Sequence, residues 1–117
     1  MGSFRYGANN AAELDDRVLA HVQLLIAAKL RKREGFMLSW TVEPEHGSGR
    51  VSIWVDEGIP LSFRFDGSRT PLINRAWLNH MIDQSYSVPG TEITSEADFE
   101  AHVAAQQTAA DAPVAGN

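Results

Sequence analysis

Five residues between Arg64 and Arg75 are of the types that hold a phosphate. Arg64, Arg69 and Arg75 supply guanidiniums that can bind an oxyanion through two N–H groups at once, and Ser68 and Thr70 supply hydroxyls around Gly67. The run Gly67-Ser68-Arg69 reads as a tight turn. Thr70 has the chemistry of a helix N-cap, and Pro71 suits a first helical position, where a missing N–H costs nothing. Free N–H groups and the positive end of the helix dipole would then face an anion seated over the turn. The competing reading is a structural loop in which Arg69 pairs with Asp66 or another acidic neighbour of its own chain.

A second set of residues suggests a contact face. Arg50, Ser52 and Trp54 fall on one side of an alternating run, Ser39 and Thr41 on one side of another, and Ser62 and Arg64 on one side of a third. A tryptophan among serines and arginines on a sheet can serve as a stacking platform for bases. It can equally be covered by a second subunit or by the C-terminal segment. Leu78 and Ile82 lie off the apolar stripe of their helix and would extend such a face. His21, His46, His80 and His102 are scattered without the spacing of a metal site, and His80 falls within an apolar stripe, as core histidines do. No nucleophile, base and orienting group can be assembled, so no catalytic residue, metal or cofactor is expected.

Arg64-Phe65-Asp66-Gly67-Ser68-Arg69 resembles the first motif of ATP-dependent DNA ligases, Lys-x-Asp-Gly-x-Arg, in which the lysine takes AMP. Arg64 stands in the lysine's place, and an arginine that stays protonated cannot be that nucleophile. A larger part of the chain, about residues 1–95, resembles a family of short actinobacterial proteins of unknown function. Asp15-Asp16-Arg17, Ala28-Lys29-Leu30-Arg31, Phe36 to Trp40, Ser52-Ile53-Trp54, Ile59-Pro60-Leu61 and Ile73 to Trp77 carry that likeness. Members are often catalogued as "ATP-dependent DNA ligase", a label that the short motif explains. The resemblance implies a shared fold and no activity.

Periodicity supplies the frame for these residues. Phe4 to Tyr6 and Ala11 to Leu14 flank a Gly7-Ala8-Asn9-Asn10 turn and read as a hairpin. Asp15 can cap a helix from Asp16 to Arg33, whose stripe is Leu19, Val22, Ile26 and Leu30, with Gly35 as the C′ residue. The cations Lys29, Arg31, Lys32 and Arg33 suit the negative end of that helix and would keep it solvated. Phe36 to Val42 and Val51 to Val55 alternate around a turn at 43–49, and Ile59 to Phe65 alternates again. These three runs are expected to share one inward face of Phe36, Leu38, Trp40, Val51, Ile53, Leu61, Phe63 and Phe65. Both helices would pack on it, in the order ββαβββα: a two-layer α+β domain over residues 1–95. Residues 91–94 suggest a short edge strand and 96–105 a short helix capped by Ser95. The tail from Gln106 lacks core-forming residues and is expected to be disordered.

At 117 residues the chain can build one modest core, and its formal net charge of −5 argues against a general DNA-coating role. Cysteine is absent, and no apolar run reaches the ~20 residues of a membrane span. The expected protein is a soluble, cytoplasmic, non-catalytic interaction module that self-associates or binds a protein partner. The alternative is a nucleic-acid or nucleotide phosphate binder without ligase activity.

Overall fold

The computed structural model describes residues 1–42, 47 and 49–111. The elements run β1 (Gly2–Tyr6), β2 (Asn10–Leu14), α1 (Asp16–Arg31), β3 (Phe36–Val42), β4 (Gly49–Val55), β5 (Leu61–Arg64), α2 (Arg75–Gln84), β6 (Thr91–Glu92) and α3 (Glu96–Asp111). The α+β class and the order ββαβββα are as the sequence predicts. Among the described residues, no helix is long and apolar enough to cross a membrane. Most of the 43–49 turn and the tail beyond residue 111 lie outside the described residues. Residues 106–111 depart from the expected disorder, since α3 continues through them. Alanine and glutamine have high helix propensity, which periodicity alone does not register.

The single expected sheet is replaced by two, ordered β2-β1-β5 and β4-β3-β6. Strand β5 leaves β4 and pairs antiparallel with β1, with Phe4 opposite Phe63 and Ser3 opposite Arg64. Alternation identifies which face of a strand is apolar but not which strand it pairs with. The exchange is fixed at the strand entry, where the Gly7 N–H donates to the Pro60 carbonyl at 2.9 Å. The inward faces still meet in one core. Phe4 stacks on Phe63 (5.6 Å) and meets the edge of Trp40 from the other sheet (5.9 Å). Helix α1 contributes Leu19, Val22, Leu25 and Ile26 to this core, and α2 contributes Trp77, Leu78 and Met81.

The second sheet is completed by β6, which lies parallel to β3 with Leu38 opposite Thr91. Gly90 makes this possible: its φ is +80°, and a Cβ there would collide with the Met37 carbonyl. The Thr91 hydroxyl then donates to the Met81 carbonyl (2.7 Å), tying the strand to α2.

The end of α1 differs from expectation in two ways. The helix closes at Lys32, and Arg33 takes the left-handed conformation (φ 57°) in place of Gly35. Lys29 is not part of a solvated cluster but is 2% exposed. Its Nζ donates to Glu34 Oε2 at 2.7 Å and sits 3.7 Å from the centroid of the Tyr86 ring, a desolvated cation satisfied by a carboxylate and a π-face. Lys29 holds the Glu34 carboxyl below the usual carboxylate range. Arg31, Lys32 and Arg33 remain exposed.

Trp77 is fully buried, and its indole N–H has no partner among the described residues. Trp77→Ala is therefore expected to lower unfolding free energy by about 3–5 kcal/mol, mostly through the cavity it leaves. Trp77→Phe should cost less, because the N–H it removes forms no bond. Phe63 is only half-buried, so Phe63→Ala should also fall short of the Trp77→Ala loss. Denaturant melts of the three variants check the ranking, which fails if Trp77→Ala melts with the parent.

Candidate functional site

The phosphate-type residues cluster around Gly67, but the helix expected beside them starts later. Asn74, not Thr70, caps α2, with its Oδ1 accepting the Trp77 N–H at 3.2 Å. Residues 71–74 are held in an extended path by bonds from other elements. Arg17 Nη1 donates to the Leu72 carbonyl (2.7 Å), and the Asn74 N–H donates to His21 Nε2 (2.9 Å). These tertiary bonds override the capping chemistry of Thr70-Pro71. An Asn three residues before Trp77 is a capping signal that the sequence does carry.

Two N–H groups at the start of the turn already have an anion. Asp16, in the first turn of α1, accepts from the Asp66 N–H (3.1 Å) and the Gly67 N–H (2.8 Å). The Gly67 bond, then the Asp66 bond, draws the Asp16 carboxyl below its ordinary range. Beyond this seat, Gly67 to Pro71 line a cleft of about 150 Å³ with Phe65, Ala20 and Gln23. Ser68, Arg69 and Thr70 are exposed along it. Arg64 projects from β5 opposite Ser3, and Arg75 opens α2. Among the described residues, no carboxylate lies within ion-pair distance of Arg64, Arg69 or Arg75.

The expected contact face divides between the two sheets. Arg50 and Trp54 lie on β4, whereas Arg64 lies on β5 in the other sheet. Trp54 is 53% exposed. Its ring lies against Gly35, where a Cβ would come within 2.7 Å of Cζ2, and its backbone carbonyl accepts the Tyr6 hydroxyl. Trp54 is thus a large aromatic packed on Gly35 with more than half of its surface left to solvent. Arg50 reaches Glu92 of β6 at 3.8 Å. Leu78 is not exposed but 7% accessible, and Ile82 packs partly buried against the core, so the α2 side of the proposed face does not form. His80 is half-buried between α2 and α3, with Phe99 at 5.3 Å and His102 at 5.5 Å.

The most connected polar cluster was invisible as a group in the sequence. Arg17 binds Glu96 with both Nε (2.7 Å) and Nη2 (2.8 Å), and Asn74 Nδ2 donates to Glu96 Oε2 (2.9 Å). The Asn74 N–H occupies His21 Nε2, so the ring hydrogen sits on Nδ1 and donates to the Arg17 carbonyl (2.6 Å). Four residues from three segments close a ring. Each of its four side chains bonds to protein partners, which is the arrangement of a structural clasp.

A family model for a domain of unknown function, DUF7882, matches residues 1–96. The chain belongs to this family. No curated protein and no solved structure matches it. The DUF7882 match ends on Glu96, the residue through which α3 enters the clasp, so both ends of the Arg17–Glu96 pair fall within the family domain.

Arg17, then Asn74, hold the Glu96 carboxyl at about 2, down from 4.5. A carboxyl whose folded value is depressed stabilises the fold above its unfolded value, and that contribution fades as pH falls through the folded one. Stability should therefore decline between pH 4.5 and about 2. Glu96→Gln should be less stable than the parent at neutral pH and lose less on acidification. Urea midpoints measured across that range check this, and parallel curves for the two proteins would refute it.

Proposed function

We propose that this DUF7882 domain is a non-catalytic interaction module that self-associates through the exposed face of β4-β3-β6. The observation that carries the reading is Trp54: a 53% exposed indole packed on Gly35, on a strand whose carbonyl at that position accepts the Tyr6 hydroxyl. Large aromatics exposed to water are typical anchors of protein contacts. With Leu78 buried, the α2 side no longer competes as the contact surface. The reading includes a cytoplasmic, actinobacterial protein without ligase activity. In support, Arg64 stands where adenylation needs a lysine, and the chain's lysines, Lys29 and Lys32, both lie at the far end of α1 from Gly67. Incubation with labelled ATP and magnesium should leave no covalent adenylate.

A second reading, nucleic-acid or nucleotide phosphate binding, is favoured by one observation: Arg69, without a carboxylate partner among the described residues, lies on the 150 Å³ cleft with Ser68 and Thr70. Against it, Asp16 fills the N–H seat of the turn with a negative charge.

Sedimentation velocity over a concentration series decides the first reading. The parent should move from monomer to a larger species as concentration rises, and Trp54→Ala, with an unchanged circular dichroism spectrum, should remain monomeric. A parent that stays monomeric throughout would overturn it. Titration of single-stranded DNA at low salt tests the second, which requires binding that Arg69→Ala weakens.

A further inference from the structure

The two ends of α1 carry opposite charge and opposite shape. At its N-terminal end an open groove of about 640 Å³ runs between β2, the start of α1, and the β6–α3 segment. Leu14, Val18, Trp40 and Ile93 line it with apolar surface. Glu13 and Asp98 line it with carboxylates that have no ion-pair partner among the described residues; Asp15, the α1 cap, and Glu92, within reach of Arg50, also border it, as does Met1, whose ammonium pairs with Asp66. Among the described residues no three acidic or histidine side chains are grouped so as to hold one metal ion. The carboxylates are instead spread along the groove, which suits several ammonium or guanidinium groups carried on a chain better than one small cation.

At the C-terminal end of α1 the pattern is reversed. Arg31, Lys32 and Arg33 are exposed and have no carboxylate within ion-pair distance among the described residues. Two residues beyond Arg33, Gly35 carries the exposed ring of Trp54. This end therefore offers cations beside an exposed aromatic, and the groove offers carboxylates beside an apolar floor. The sixteen residues of α1 separate the two by about 24 Å at 1.5 Å per residue, so one molecule cannot fill its own groove with its own basic end.

From this complementarity we infer that the occupant of the acidic groove is the Arg31–Arg33 and Trp54 end of a second copy of the chain. The inference rests on the self-association proposed above and specifies its geometry. The contact is head-to-tail: each molecule presents a different surface to each of its two neighbours. Such a heterologous contact repeats into a ring or an open chain instead of stopping at a symmetric dimer. Because the charges lie at the surface, association should weaken as salt rises and the screening length falls below about 10 Å.

Complementation between reversed-charge variants tests this. Glu13→Lys/Asp98→Lys disables the groove and keeps the basic end; neither side chain caps a helix or joins an ion pair among the described residues. Arg31→Glu/Lys32→Glu disables the basic end and keeps the groove. By sedimentation at low salt, each variant alone should be monomeric. An equimolar mixture should associate, since the intact basic end of one variant meets the intact groove of the other and the two reversed surfaces also carry opposite charge. The milder Glu13→Gln/Asp98→Asn pair should weaken parental association by about tenfold, the effect of two surface ion pairs, and it serves where a reversed variant does not fold. If the parent associates and the groove variants associate equally well, or if the mixture stays monomeric, the head-to-tail contact is wrong while the Trp54 reading stands. If the parent does not associate at all, both fall.

Discussion

The bidentate pair between Arg17 and Glu96 fixes more of this molecule than any other polar contact. It joins the first turn of α1 to the first residue of α3, and through Asn74 and His21 it also sets where α2 begins. Arg17 would otherwise leave its guanidinium at the mouth of the domain with only the Leu72 carbonyl for company. Because His21 is fully buried, its ring nitrogens need partners, and the ring of bonds provides both without water. The extended path of residues 71–74 follows from that requirement, and so does the displacement of the helix start away from Gly67.

The same end of α1 shows why a phosphate-like motif need not hold a phosphate. Asp16 reaches across to the turn and accepts the N–H groups that an external anion would use. Gly2 has no room for a side chain, lying against the Arg64 carbonyl, Leu19 and Asp16, so β1, β5 and α1 converge there at close range. A loop with the outline of an anion site is here the docking point between a helix and a strand. What remains open to solvent is the row of Ser68, Arg69 and Thr70 along the neighbouring cleft.

Much of the fold was legible in the sequence because burial leaves a periodic trace. The stripe of α1, the alternation of β3 and β4, the class and the element order follow from it. The β1–β2 and β3–β4 hairpins follow from it as well, but the pairing of β5 does not, because Phe63 reads as inward whether its strand joins β4 or β1. The burial of Lys29 was hidden for a different reason: its neighbours Arg31, Lys32 and Arg33 are solvated, and it is enclosed by groups that come together only in the fold, Phe36, Glu34 and Tyr86 just beyond α2. The clasp was hidden because Arg17 and Glu96 stand 79 positions apart and no local motif links them. Local signals predict local structure, and the residues that organise this site act over long range. Trp54 was recognisable as an oddity in an outward position, though the loss of Leu78 to the core removed half of the face expected around it.

The separation between Arg17 and Glu96 also bears on how the domain is made. The β3–β4 hairpin closes between near neighbours and can form as soon as it emerges, whereas β1 must wait for β5 and the clasp must wait for the start of α3. Long-range closures of this kind are slow, since chain entropy is lost before contacts compensate. During synthesis the first hairpin therefore waits through α1, β3 and β4 with Phe4 lacking its partner from β5. The domain behaves in this respect as a latch: the first strand is secured only once β5 has been translated, and the clasp closes only once α3 has begun.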